Sequence, residues 1–284
     1  NEYREFVYRQ HESHEKVDTS SKYKNFIEKN SIIEKYKFYF FNHIQFDPEE
    51  RSEVLKDLLK IDEKILEDFD QKCQTGENDC YITKLIRDDS VEEFIVYTNK
   101  FNISLSSEIK ESIFETHPFL LRKRATLIEY AAFFSSMKIF NYLQMNGVEL
   151  APSLWLYAIN GNNSEVIQIL EENHINPKDD TYIECLKESI KCHHNSIAQY
   201  LEENYQDKME VMNKKNFTNN QISFGFHYYN YDFIQNSPKC KYSQGLNYLL
   251  FYACKYDHLP IVKFLVNEKE VDVNQTIIFN IIFF

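Results

Sequence analysis

The feature that most constrains the fold of this chain is a short internal repeat. A small residue occurs four times with a leucine twelve positions later. The intervals between the small residues are 27, 31 and 64 positions, and the longest interval is two periods of 32. The four pairs are Ala131 with Leu143, Ala158 with Leu170, Ser189 with Leu201, and Ala253 with Leu265. Such a period is typical of a protein built from stacked helical units.

Each repeat has the pattern of two short helices joined by a turn. The small residue lets the two helices approach closely, and the leucine points the second helix into a shared core. Four positions after the small residue we expect a left-handed backbone, which ends the first helix. The residues at that position are Ser135, Asn162, His193 and Asp257. The residues that follow, suited to cap the second helix or to bridge the turn, are Ser136, Asn163, His194 and His258.

The repeat frame divides the chain into units that bury their apolar faces only by stacking on one another. A degenerate unit fits the longest interval, because Gly225–Ile234 aligns with Ala253–Val262. Clear units lie near residues 126–151, 153–176, 182–205 and 246–274, the degenerate unit near 217–238, and a truncated unit at 275–284. The sequence therefore predicts an all-α solenoid of stacked helix-turn-helix repeats over residues 81–284.

A separate helical N-terminal region is predicted over residues 1–75. Asp47-Pro48-Glu49-Glu50 is a helix start signal, with a capping residue, a proline suited to the first helical position and two acids near the positive helix end. The polar stretch Gln74–Asp79 is the predicted linker to the solenoid. The apolar face of the predicted amphipathic helix consists of Val54, Leu55, Leu58, Leu59, Ile65, Leu66 and Phe69.

Composition excludes several other classes of protein. The chain has 5 Gly and 6 Pro in 284 residues, too few for the turns of a β-sandwich or for the glycine-rich loop of a Rossmann enzyme. Its net charge of −12 disfavours binding to a nucleic-acid backbone. No apolar run reaches the length of a membrane span, and the 6 Cys contain no CxxC pair. We expect an intracellular, cytoplasmic protein that binds neither nucleic acid nor membrane.

Three segments resemble the ankyrin repeat. Thr126–Ala132 is similar to the consensus Thr-Pro-Leu-His-Leu-Ala-Ala, and Asp257–Leu265 resembles Gly-His-Leu-Glu-Ile-Val-Lys-Leu-Leu. Val271–Asn274 is similar to the Ala-Asp-Val-Asn that closes a unit. The resemblance implies an ankyrin-like α-solenoid.

The order of further segments is similar to that in ankyrin-repeat proteins of trichomonad-type protists, which carry a domain of unknown function before and over the early repeats. These segments are Cys80–Phe94, Asn102–Ser106, Ile113–Thr116 and Leu154–Trp155. The resemblance supplies no known catalytic residue and no cofactor.

Candidate metal ligands are few. Cys192-His193-His194, with Cys185 and His174 nearby, comes closest to a metal cluster. Zinc needs four converging ligands, and the turn position already explains the two histidines. His11 and His14 form a weaker pair in a polar stretch. We predict no metal site and no bound cofactor.

Catalysis has little support in the sequence. The chain has no GxSxG motif and no P-loop, and Cys254 follows Ala253 at a position expected to be in the core. Glu171-Glu172 and Glu202-Glu203 recur at the same place in two units, as expected for solvated ends of second helices. We predict no catalytic residues and no small-molecule substrate, with an enzyme carrying an unrecognised site as an alternative.

Two clusters allow two interpretations each. The aromatic run Phe224–Phe233 could stack on bases or sugars, or it could pack in the core and turn of the degenerate unit. The basic run Arg122-Lys123-Arg124 could be a solvated turn or a localisation signal.

The predicted function is protein–protein recognition through the continuous surface of the stacked units. Affinity would come from residues just after each small residue, because their identities differ between units. The predicted contact residues are Phe133, Phe134, Asn160, Gly161, Lys191, Cys192, Lys255 and Tyr256. The alternative is a truncated repeat-gene product without independent function, in which a missing final helix leaves apolar surface exposed.

Overall fold

The computed structural model describes residues 38–39, 41–42, 48–61, 65–122, 124–178, 180–212, 217–236, 243–267 and 271. Several sequence predictions lie outside these ranges. They concern the pair His11 and His14, the helix cap at Asp47, most of the closing motif Val271–Asn274, and the truncated unit at 275–284. They stay predictions.

The described part of the chain contains fifteen helices in two modules. The N-terminal module takes in the described residues up to Cys80 together with Lys110–Arg124. Its helices are α1 (Pro48–Ile61), α2 (Phe69–Thr75) and α5 (Pro118–Arg122). The segment Lys110–Arg124 thus packs with the N-terminal residues, although it lies within the range assigned to the solenoid from sequence.

The repeat module contains the other twelve helices as six consecutive pairs. Pair 1 is α3 (Tyr81–Arg87) and α4 (Val91–Lys100), pair 2 is α6 (Leu127–Phe133) and α7 (Met137–Met145), and pair 3 is α8 (Leu154–Asn160) and α9 (Ser164–Glu172). Pair 4 is α10 (Ile183–Lys191) and α11 (Asn195–Met212), pair 5 is α12 (Phe217–His227) and α13 (Tyr231–Asn236), and pair 6 is α14 (Ser243–Lys255) and α15 (Leu259–Asn267).

The N-terminal module has its own apolar core. Phe69 lies at its centre, with its ring centroid 6.5 Å from that of Phe41 and 5.3 Å from that of Phe114. The other buried members are Val54, Leu58, Ile65 and Cys73. The predicted apolar face is wrong at Leu59 and Leu66, which are exposed. Helix α1 ends at Ile61, so Leu66 lies in the turn before α2 and no longer follows the helical period.

The predicted linker Gln74–Asp79 is a hydrogen-bonded turn. Gly76 ends α2 with a φ of 64°, and its carbonyl accepts bonds from the backbone N–H of Thr116 at 3.0 Å and from the Thr116 hydroxyl at 2.8 Å. Asn78 is buried and donates to the Lys110 carbonyl at 2.8 Å. The polar composition of this segment therefore correctly indicates the end of a helix. The segment is a hydrogen-bonded turn and not a flexible connection.

The core of the repeat module follows the predicted frame. All four small residues, Ala131, Ala158, Ser189 and Ala253, are completely buried, and the leucines twelve positions later are buried too, with Leu265 the most exposed of them at 3%. Each buried leucine contributes about 1.5–3 kcal/mol of hydrophobic stabilisation. Within the described ranges the only β pairing is the isolated bridge between Glu108 and Thr126. The all-α fold class is confirmed.

Two features of the repeat module lie inside the predicted solenoid but outside the units assigned from sequence. Pair 1 joins the stack although Leu85 stands where the other pairs have a small residue, and the Asp89 carboxylate accepts bonds from the backbone N–H groups of Lys138 and Ile139 at the start of α7. Helix α11 continues to Met212, which makes it 18 residues long against 9 in α7 and α9. The extension brings additional side chains to pairs 3 and 4.

A candidate protein-binding surface at the helix turns

The turns between the two helices of each pair share one geometry. The predicted left-handed residues are confirmed, with φ between 51° and 60° at Ser135, Asn162, His193 and Asp257. Asp89 and Tyr229 take the same conformation in pairs 1 and 5. In all six turns the next residue donates its backbone N–H to the carbonyl five positions earlier, at 2.8–3.0 Å. This is the Schellman arrangement, which satisfies carbonyl groups at the helix end and fixes the direction of the chain.

In pairs 2 to 6, the residue after the left-handed residue links its pair to the preceding one. Each side chain bonds to a backbone carbonyl at the end of the preceding pair's first helix. The bonds join Ser136 to Ile86, Asn163 to Ala132 at 3.2 Å, His194 to Asn160 at 3.3 Å, Asn230 to Ile190 at 2.8 Å, and His258 to Phe226 at 2.9 Å. Asn163 and Asn230 also cap their own second helices through Oδ1. The predicted capping and bridging roles are therefore confirmed in these turns.

A line of side chains crosses these turns, and we call it the turn strip. It consists of the last residue of each first helix and the residue after it. Its members are Arg87, Asp88, Phe133, Phe134, Asn160, Gly161, Lys191, Cys192, His227, Tyr228, Lys255 and Tyr256. All eight predicted contact residues belong to it, and of these only Lys255 is exposed while the others are half-buried. Sequence reasoning missed the members from pairs 1 and 5.

The pair 2 end of the strip is aromatic. The rings of Phe133 and Phe134 lie 4.9 Å apart between centroids, and Phe134 lies 4.6 Å from Tyr130. Arg87 donates to the Tyr130 hydroxyl at 2.9 Å, and its guanidinium lies 5.9 Å from the centre of the Phe134 ring. These contacts hold the ring of Phe134 in one place.

The middle of the strip is polar. Glu188 accepts bonds from Lys191 at 2.7 Å and from the Asn160 amide at 3.2 Å. The Cys192 thiol lies 3.4 Å from Asn160 Oδ1. Burial, and secondarily the charge of Glu188, raises the pKa of Cys192 to about 11, so the thiol stays protonated at neutral pH and is a poor nucleophile.

The pair 5 and pair 6 end of the strip is again aromatic. The ring of His227 lies 4.6 Å from Tyr228 and 5.3 Å from Tyr256. The hydroxyl of Tyr256 bonds to Ser223 at 2.9 Å, and the Lys255 ammonium lies 5.1 Å from the centre of the Tyr256 ring. The strip therefore has two aromatic ends and a polar centre.

The ankyrin-repeat family model matches residues 245–275. These residues cover pair 6, which includes the segment Asp257–Leu265 that carries the sequence resemblance. Taken with the six helix pairs, this match confirms the predicted fold, an ankyrin-like repeat solenoid. No curated protein and no solved structure matches the chain. Among the helices of the described ranges, none is long and apolar enough to cross a membrane.

The two adjacent histidines of this ankyrin-like solenoid bond to different neighbours. His194 reaches back to the Asn160 carbonyl, and His193 reaches forward to the Tyr228 carbonyl at 3.0 Å, each through Nε2. Because a carbonyl only accepts, each Nε2 carries the proton and donates it. Over the described residues, no three His, Cys, Asp or Glu side chains are grouped so that they could hold a metal ion.

The aromatic run Phe224–Phe233 divides between core and surface. Phe226 and Phe233 are buried, whereas Tyr229 is 62% exposed and Tyr231 is also exposed. Tyr231 is held by a 2.6 Å bond between its hydroxyl and Nδ1 of His258. The run is therefore divided: Phe226 and Phe233 pack in the core, Tyr229 and Tyr231 are exposed, and Phe224 and Tyr228 are half-buried.

Two expectations about chemical groups are wrong. Cys254 is exposed, not buried. The equivalent residues of pairs 2 to 5, which are Ala132, Ile159, Ile190 and Phe226, are buried. Glu171 is not a solvated helix end, because its carboxylate accepts the hydroxyl of Tyr200 at 2.8 Å and the hydroxyl of Tyr205.

Glu171 belongs to an aromatic cluster that the sequence did not reveal. Tyr205, on the extension of α11, stacks on Tyr182 with centroids 3.8 Å apart and rings 8° from parallel. Trp155 meets Tyr182 edge-on at 5.2 Å, and Lys208 lies 5.0 Å above Tyr182. The partners lie far apart in sequence, so no local pattern indicates their contact.

We expect the Glu171→Gln variant to lower the pKa of Tyr200. Burial, and then the hydrogen bond and charge of Glu171, raises the pKa of Tyr200 to about 12, against about 10 for an unperturbed tyrosine. The pKa of Tyr200 is higher in the folded protein than in the unfolded chain. The stabilisation that comes from its protonated hydroxyl is therefore present below pH 10 and is lost as the pH rises towards 12. Removing the carboxylate charge shifts the ionisation of Tyr200 towards 10.

Ultraviolet absorbance of tyrosinate measures this shift. With 20 Tyr in the chain, the signal of Tyr200 is obtained as the difference between each protein and its Tyr200→Phe derivative. The matched control is Glu172→Gln, at the exposed neighbouring position. An unchanged Tyr200 titration in Glu171→Gln would contradict the assigned role of the carboxylate.

Proposed function

We propose that this chain is a non-catalytic scaffold that recognises a partner protein through the turn strip. The observation that carries the proposal is that the strip crosses six turns of one backbone geometry while its side chains differ from pair to pair. Repeats that keep the same core residues but differ in the side chains along one line of their surface can recognise a partner protein through an extended surface. The ankyrin-repeat match at residues 245–275 adds support, since such repeats generally mediate protein interactions.

The rigidity of the turns supports the same function. Ser136, Asn163, Asn230 and His258 are buried, and their bonds tie each turn to the one before it. Side chains mounted on fixed backbone lose little conformational entropy when a partner binds. The half-buried aromatic residues Phe134 and Tyr256 are of the kind that forms the energetic centre of protein interfaces.

Finer assignments belong to the same proposal. We place the chain among the ankyrin-repeat proteins of trichomonad-type protists on its segment order, and we place its action inside the cell on its cysteine usage. Its partner is a protein, and the proposed contact residues are the eight strip members named from sequence together with Arg87, Asp88, His227 and Tyr228.

Affinity capture from native lysate tests this function. We expect a variant carrying Phe134→Glu, Lys191→Glu and Tyr256→Glu to recover its partner about tenfold less well than the unmodified chain, a loss of about 1.4 kcal/mol. The matched control carries Val96→Glu, Lys138→Glu and Met145→Glu, which change the net charge by the same amount at exposed residues outside the strip. Thermal unfolding of each variant verifies the fold. Equal recovery by the folded triple variant and the control would reject the turn strip as the binding surface.

A further inference from the structure

We propose that Asn146 is a site of spontaneous deamidation, and that the stacking of the helix pairs protects Asn160 from the same reaction. The sequence contains two Asn-Gly pairs, Asn146-Gly147 and Asn160-Gly161. Asparagine is a thermolabile residue, and a following glycine exposes its own backbone nitrogen most because it has no side chain. The inference does not depend on the proposed function. It follows from the different surroundings of two pairs that are identical in sequence.

The reaction takes place between the side chain of Asn146 and the backbone nitrogen of Gly147. This nitrogen loses its proton to solvent and attacks the side-chain carbonyl carbon, Cγ, of Asn146. A bond forms between the two atoms, the bond from Cγ to Nδ2 breaks, and the leaving nitrogen takes a proton from solvent and departs as ammonia. Water then opens the resulting five-membered imide at either of its two carbonyl groups. The product is aspartate or isoaspartate, and nothing is oxidised or reduced.

Asn146 lies where this attack needs little rearrangement. It follows the last residue of α7, and both Asn146 and Gly147 are exposed. The Asn146 amide donates to the Tyr142 carbonyl at 2.7 Å, and the Gly147 N–H donates to the Gln144 carbonyl at 3.0 Å. Apart from the chain neighbours of Gly147, no atom lies within 4 Å of the place that a Cβ would take there. Both bonds belong to the end of one helix, which opens without unfolding of the rest.

Asn160 is held by the pair that follows it. Its amide donates to the Leu156 carbonyl at 2.8 Å and to the Glu188 carboxylate at 3.2 Å, and the Cys192 thiol lies 3.4 Å from its Oδ1. The His194 ring donates to its backbone carbonyl at 3.3 Å. Glu188, Cys192 and His194 lie in pair 4 and its turn. Reaction at Asn160 therefore requires pair 4 to move away from pair 3.

Gly161 is restrained from the other side, by pair 2. A Cβ atom at Gly161 would lie 2.1 Å from the Phe133 carbonyl oxygen, so its backbone lies against the end of α6. Its N–H donates to the Tyr157 carbonyl at 3.0 Å. Turning this nitrogen towards Cγ of Asn160 therefore disturbs the contact with pair 2 as well. Because the rate follows the population of the open state, we expect Asn146 to deamidate at least about tenfold faster than Asn160.

Deamidation has different consequences at the two sites. Asn160 and Gly161 belong to the turn strip, whereas Asn146 follows the opposite end of α7. A carboxylate at Asn146 interacts unfavourably with the helix dipole, and isoaspartate also inserts a carbon atom into the main chain. This atom displaces the N–H of the buried Val148 from the Leu143 carbonyl, to which it donates at 3.1 Å. We therefore expect ageing to loosen the connection between pairs 2 and 3 and to leave the strip unmodified.

Peptide mapping of the purified full chain tests the inference. The chain is kept at mildly alkaline pH, in one sample folded and in another in denaturant, and mass spectrometry of separated peptides measures aspartate and isoaspartate at both sites over time. We expect product at Asn146 well before Asn160 in the folded chain, and similar rates at the two sites in denaturant, where the stacking is lost. No product at Asn146, or equal rates at the two sites of the folded chain, would overturn the inference.

A substitution in pair 4 tests the protecting contacts separately. Glu188→Ala removes one hydrogen bond of the Asn160 amide and should raise the rate at Asn160 about two- to tenfold, with the rate at Asn146 unchanged. The matched control is Glu184→Ala, at an exposed position of the same helix, which should change neither rate. Circular dichroism verifies that both variants are folded. An unchanged rate at Asn160 in folded Glu188→Ala would contradict the protection by pair 4.

Discussion

The Asn230→Asp variant should lose about 3 kcal/mol or more of its free energy of unfolding. Asn230 is fully buried between pairs 4 and 5. Its amide nitrogen donates to the Ile190 carbonyl at 2.8 Å and to Oδ1 of Asn195 at 2.7 Å, and its own Oδ1 caps α13 by accepting from the backbone N–H of Phe233. Aspartate has the same shape and keeps the cap, but it places a carboxylate oxygen against two acceptor oxygens.

The pH dependence of this variant follows from the same contacts. Burial and the two facing oxygens disfavour the ionised carboxylate, so the pKa of Asp at this position is raised above its value in the unfolded chain. The protonated acid donates one of the two lost bonds. The variant is therefore least destabilised at low pH, and its stability falls as the pH rises through the raised pKa.

Chemical denaturation of the two proteins measures the loss, and Asn236→Asp is the matched control. Asn236 lies at the exposed end of α13 in the same pair, so the same change of charge there should alter stability by less than about 0.5 kcal/mol. Equal stabilities for Asn230→Asp and Asn236→Asp would show that the bonds of Asn230 do not stabilise the junction of pairs 4 and 5.

The parts of this fold that were predictable are those that recur. A small residue, a left-handed residue and a leucine at constant offsets predicted the buried positions and the turn geometry of four pairs, because each pair repeats the same packing problem. The same offsets place His227 and Tyr228 in the strip, counted from Gly225. Pair 1 gave no such signal, since Leu85 replaces the small residue.

The parts that were not predictable depend on contacts between distant residues. The hydrogen bonds from Tyr200 and Tyr205 to Glu171 join residues that are 29 and 34 positions apart in the sequence. The hydrophobic period of either helix does not predict them. Cys254 is likewise exposed although its place in the repeat frame predicts burial. The local sequence pattern predicts which residues are buried within a unit. The contacts between neighbouring units decide which further residues become buried.

Substitution of Gly161 by alanine should destabilise the junction of pairs 2 and 3 by about 3 kcal/mol. A Cβ atom at Gly161 would lie 2.1 Å from the Phe133 carbonyl oxygen and 2.7 Å from its carbon. These are backbone atoms, so the clash is relieved only if the end of α6 moves away from α8. The φ of Gly161 is −80°, which alanine adopts readily, and the cost is therefore steric.

The control is Gly147→Ala, which separates steric cost from backbone strain. Gly147 has a φ of 81°, and no atom lies within 4 Å of the place that an alanine methyl group would take, so alanine there should cost about 1 kcal/mol of left-handed strain alone. Denaturation curves of the two variants give the comparison, and a smaller loss for Gly161→Ala than for Gly147→Ala would contradict the close approach. A larger loss would mean that Gly161, one of the predicted contact residues, shapes the strip by letting two pairs approach.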